Sequence, residues 1–135
     1  MGAHRTQRPD ERLSGICLPK HWPAIPHNVG KTRRINGIDG RIRHFRIDDE
    51  MIRPQSNSDR KVIVFQKVTF LEENETEFRL GYYMIGMKPR ARGRWVRGQF
   101  CLLIPEEDLL FLMKEAQRRK WFKNPIKLTT KSRAV

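Results

Sequence analysis

Residues 88–100, KPRARGRWVRGQF, carry five basic side chains, no acidic one, two glycines and two aromatics. Cations displace the counterions condensed on a phosphate backbone, and flat side chains give unpaired bases a surface on which to stack. This stretch has both. In an extended loop Lys88, Arg90, Arg92 and Arg94 share one side, and Arg97 enters the following strand on the same face as Trp95 and Gln99. At roughly 3.4 Å per residue Trp95 to Gln99 spans about 14 Å. One strand face would then offer a stacking plane, a phosphate contact and a base-edge donor. Arg79 and Tyr83, on one face of the preceding strand, extend the patch. The competing reading is structural: arginines on an edge strand discourage aggregation, and a strand Trp is more often core than platform.

Other chemistry has weaker support. Cys17, His21 and His27 in CLPKHWPAIPH include two histidines at the spacing of half a zinc site, but the chain has no Cys-x-x-Cys pair, and Pro23 and Pro26 break the helix that presents such histidines. No metal and no cofactor are expected. The carboxylate clusters Asp48, Asp49, Glu50 and Glu72, Glu73, Glu75, Glu77 read as solvated faces. No Ser, His and Asp grouping and no phosphate-cradling glycine loop is present, so no catalytic residue is expected.

The whole chain agrees with a polyanionic partner. Its 135 residues carry a net charge of +13, which repels itself unless an anion offsets it. No apolar stretch approaches the roughly 20 residues of a membrane-spanning helix, and the charged start MGAHRTQRPDERLSG is unlike a secretory signal. MGAHRT formally matches a myristoylation pattern, a short motif that recurs by chance. Cys17 and Cys101 lie far apart and imply no disulfide framework, which points to an intracellular, reducing setting.

The elements that must position the patch follow from composition. Residues 1–60 hold 12 Lys and Arg against 7 Asp and Glu, with prolines at 9, 19, 23, 26 and 54. They read as a basic, largely irregular arm, with one hairpin between 31–35 and 41–47 closed by NGIDG. KVIVFQKVTF (61–70) and FRLGYYMIGM (78–87) read as an antiparallel hairpin, and RWVRGQFCLLI (94–104) as a further strand. PEEDLLFLMKEAQRRKWF then opens a helix, with Pro105 at its first position, acids in its first turn and Leu109, Leu112, Met113 and Ala116 on one stripe. Phe111 lies off that stripe. The expected fold is α+β: a three- to four-stranded antiparallel sheet over 61–122 backed by one helix, followed by a basic tail at 123–135.

A hairpin, a basic strand with Arg97-Gly98 followed by Phe100 and Leu102, then Pro105-Glu106, resembles the carboxy-terminal domain of the positive-cofactor-four transcriptional coactivators. The likeness covers residues 61–118. It implies single-stranded DNA binding on the sheet, a phosphate role for Arg97, a stacking role for Trp95, and a homodimer through the 105–120 helix with Phe111 in the contact.

The function expected from the sequence is sequence-tolerant binding of nucleic acid, DNA or RNA, single strands preferred, without catalysis. The alternatives are a module that docks on an acidic protein or within a ribonucleoprotein assembly, and a metal-dependent nuclease using Glu75 and Glu77.

Overall fold

The computed structural model describes residues 10–127. The candidate acylation motif at Gly2 to Thr6 and most of the basic tail lie outside the described residues. Five antiparallel strands, β1 (Thr32–Asn36), β2 (Ile42–Pro54), β3 (Lys61–Phe70), β4 (Glu75–Ile85) and β5 (Trp95–Arg97), pair in sequence order as a curled meander. One helix, α1 (Glu106–Arg118), follows. The architecture is α+β as expected, with five strands where three to four were anticipated.

The additional strand length lies in β2, whose 13 residues run through the charged segment RHFRIDDEMIRP. Its alternation is hidden in the sequence because a bulge between Ile47 and Asp49 shifts the register by one residue. Phe45 and Ile47 before the bulge, and Glu50 and Ile52 after it, consequently face the same side. The NGIDG turn closes β1 onto β2, with Asn36 opposite Ile42 and Gly40 at φ 80°. Because β2 pairs with β3 along nine positions, this hairpin is part of the sheet.

β3 is the central strand, and its near-continuous apolar run reflects cover on both sides. Ile63 and Phe65 face α1, where they join Met51, Leu112, Ala116 and Trp121 in one buried cluster. Val62 and Val64 face the concave side, where Leu13 and Ile25 from the N-terminal segment pack on them with Ile52. Part of the expected arm is thus folded onto the sheet. A 3-10 turn at Glu11–Leu13, capped by the Asp10 side chain, starts this segment. Phe45, Ile47, Val68 and Phe70 fill the far end of the same concave face.

The strand expected over 94–104 is only three residues long, ending at Arg97. Gly98 still pairs with Tyr82, its amide donating to the Tyr82 carbonyl at 2.8 Å, but its α-carbon lies directly against the Tyr82 ring. The chain then leaves the sheet and runs without regular structure to the helix. Pro105 occupies the N-cap position of α1, one residue before the place expected. Leu112 and Ala116 of the expected stripe are fully buried, whereas Leu109 and Met113 are half-buried. Phe111 packs within the chain, half-buried at the edge of the helix-side cluster with the Arg53 guanidinium stacked 4.1 Å from its ring centre.

Candidate nucleic-acid interface

The concave face is set by strand register. Tyr83 on β4 lies opposite Val62 and Arg97, Gly81 opposite Val64, and Arg79 opposite Gln66, so Tyr83, Gly81, Arg79 and Arg97 all project to the side away from the helix. On β1, Arg33 lies opposite Phe45 and faces the same way. Curling brings the two edge strands to either side of one small cleft of about 60 Å³, walled by Arg33, Arg79, Arg97 and Tyr83 and floored by Val64, Gln66 and Gly81.

Three cations from three strands therefore converge, and the residues lining the cleft include no carboxylate. None of the three forms an ion pair with a described residue. Arg33 donates at 3.4 Å to the Asn28 side chain, and Arg79 lies 5.3 Å from the Phe45 ring centre. Burial and the charge of Arg33 both push the Arg97 guanidinium below its ordinary pKa. The neighbouring carboxylates are committed elsewhere. Glu77 receives Arg43 at 2.9 Å on the outer rim, and Glu50 receives Arg12 at 2.9 Å beneath the cleft.

The buried layer under the cleft holds its walls. The Glu50 carboxylate, wholly excluded from solvent, also accepts from Asn28 at 3.1 Å and Gln66 at 2.6 Å, and Asn28 donates to the Tyr83 hydroxyl at 3.2 Å. Glu50 had been read as part of a solvated acidic run. The bulge explains the difference, because it turns Glu50 inward opposite Gln66 while Asp49 faces the helix side and receives Trp121 Nε1 at 2.9 Å.

Of the residues singled out from sequence, Arg79, Tyr83 and Arg97 are brought together. Trp95 lies on the same face but is half-buried: its indole N–H donates to the Pro23 carbonyl at 2.8 Å, and its ring meets Trp22 edge-on at 5.4 Å. It fastens the N-terminal segment instead of standing free. Lys88, Arg90, Arg92 and Arg94 do not form one extended row. They sit exposed on a tight turn in which Gly86 receives and returns backbone bonds with Gly93 and Arg94, with Gly93 at φ 75°. Gln99 is exposed beyond the end of β5.

Arg33, Asn28, Gln66 and Gly81 were missed. TRRIN gave a usable signal for Arg33, since the NGIDG turn already fixed the hairpin register. Nothing local revealed that β1 would face β5 across the cleft. Among the described residues no group of three or more His, Cys, Asp or Glu is placed to hold a metal ion, and no helix is long and apolar enough to cross a membrane. Comparison with protein-family models, curated proteins and solved structures finds no match to this chain.

Proposed function

We propose that the protein binds nucleic acid without catalysis, single strands preferred and with little dependence on sequence, and that the strand lies against the concave side of the curled sheet. The observation that carries this reading is the convergence of Arg33, Arg79 and Arg97 on a cleft without carboxylates, in a chain of net charge +13. Unpaired guanidiniums held together repel one another, and a phosphate relieves that repulsion while accepting their planar hydrogen bonds. Lys88, Arg90, Arg92 and Arg94 on the neighbouring turn add charge along the path of the strand. With Trp95 committed to the N-terminal segment, Phe100, 84% exposed, is an aromatic free to stack. Three residues of chain keep it within about 11 Å of Arg97.

The test is fluorescence anisotropy of a labelled unstructured oligonucleotide, in DNA and RNA forms, with the wild-type chain and Arg79→Ala/Arg97→Ala. Saturable binding at low salt, weakened by the double substitution, is expected. Absence of binding at low salt would sink the proposal and direct attention to an acidic protein partner.

A further inference from the structure

The arrangement of the three arginines says more than their charge does. Cations that follow a phosphodiester backbone are laid out along a line, each meeting one singly charged phosphate. Arg33, Arg79 and Arg97 instead point from three strands into one small cleft, where a single group can meet all three. A phosphomonoester matches that geometry. It carries between one and two negative charges near neutral pH and three terminal oxygens, where a diester has one charge and two.

The floor supports the same conclusion. Gly81 is the one residue of β4 between Arg79 and Tyr83 on the concave face, and a Cβ placed on it would meet nothing within 4 Å. A glycine inside a strand weakens the strand, and its common compensation is close approach of another group to the backbone. Buried Gln66 and Asn28, both tied to Glu50, hold the surrounding polar groups in place.

We infer that the cleft floored by Gly81 and walled by Arg33, Arg79 and Arg97 takes a single terminal phosphate, so that the protein binds phosphorylated strand ends in preference to internal sites. This rests on the nucleic-acid reading above. The phosphate could stand at the 5′ or the 3′ end of a strand, and the experiment separates the two.

One unstructured oligonucleotide is prepared with a 5′-phosphate, with a 3′-phosphate and with neither, and titrated into the full chain at fixed ionic strength. Inorganic phosphate serves as competitor. The expected result is that one phosphorylated form binds at least about tenfold more tightly than the plain form, the gain of a charge-assisted hydrogen bond or more, and that inorganic phosphate cancels the gain. Gly81→Val removes no charge, suits a strand, and fills the cleft from below. It should bring the affinity ratio of phosphorylated to plain oligonucleotide, both measured on the same variant, down to about one. Arg33→Gln, on an exposed edge strand, should lower the same ratio, whatever it does to overall affinity, and serves should Gly81→Val fail to fold. Equal affinity for all three oligonucleotides, or a gain that survives both substitutions, overturns the inference and leaves the nucleic-acid reading standing. Inorganic phosphate binding directly to the chain in calorimetry, while no oligonucleotide binds, would retain an oxyanion site and overturn both the strand-end assignment and the nucleic-acid reading.

Discussion

Glu50 is the residue on which the concave side depends. A carboxylate removed so fully from water is tolerable only with charged and hydrogen-bonding partners, and here Arg12, Asn28 and Gln66 all supply them. Glu50→Ala takes one of two carboxylates from Arg12, which keeps Asp10 at 2.7 Å, and leaves Asn28 and Gln66 short of an acceptor, so stability should fall by about 1–3 kcal/mol in urea unfolding. A loss below about 1 kcal/mol would show the pair to be dispensable. Glu115 supplies a second test, in acid. Hydrogen bonds from Arg118, opposed by burial and helped by Arg119, lower its pKa from 4.5 to about 2. A depressed carboxylate pKa contributes stability that is complete above the unfolded value and lost as pH falls. Wild-type protein should therefore lose stability between about pH 4.5 and 2, and Glu115→Gln should flatten that part of the profile; unchanged curvature would remove Glu115 from the account. Neither role was readable from residue type alone. Asp48, Asp49 and Glu50 look alike in sequence, and a single bulge sends them to different surroundings.

At the scale of elements, α1 is held at both ends. Asp108 is fully buried in its first turn, where it accepts from Arg53 at 2.6 Å and from the Ser56 amide and hydroxyl at 3.0 Å. Burial opposes ionisation of this carboxyl, but the Ser56 and Arg53 hydrogen bonds prevail and keep it below its ordinary value. At the other end Trp121 enters the core against Phe65, with ring centres 5.1 Å apart. The sequence announced the helix well, because capping acids, apolar stripe and terminal cations all agreed. It announced β5 poorly. RWVRGQFCLLI reads as one strand, yet β5 ends at Arg97 and the pairing stops with the Gly98 amide, since Gly98 fits beneath Tyr82 and the chain turns away. A Cβ at Gly98 would come within 2.0 Å of the Tyr82 ring. Gly98→Ala should cost about 1–3 kcal/mol through overpacking, read as a lowered melting temperature. No change would mean that the ring has somewhere else to go.

For the whole molecule, charge is the dominant property. If the strand engages six to ten phosphates, its affinity should drop by roughly a thousandfold or more between 50 and 200 mM salt. A flat salt response would exclude binding through the phosphate backbone. The basic excess was legible from composition, and two of the three cleft arginines from strand alternation. The cleft itself was not, because it depends on curl, a property of all five strands together that no window of sequence contains. That curl leaves both borders of the sheet open, which is ordinarily an invitation to pair with another chain. Here β1 presents consecutive arginines at 33 and 34, and β5 offers only three residues. Arg33 and Arg97 also repel each other across the gap between the two borders, which opposes their closing together. The charge that would recruit a polyanion thus also guards against strand-to-strand aggregation, and replacing it with neutral residues to raise stability would remove that protection.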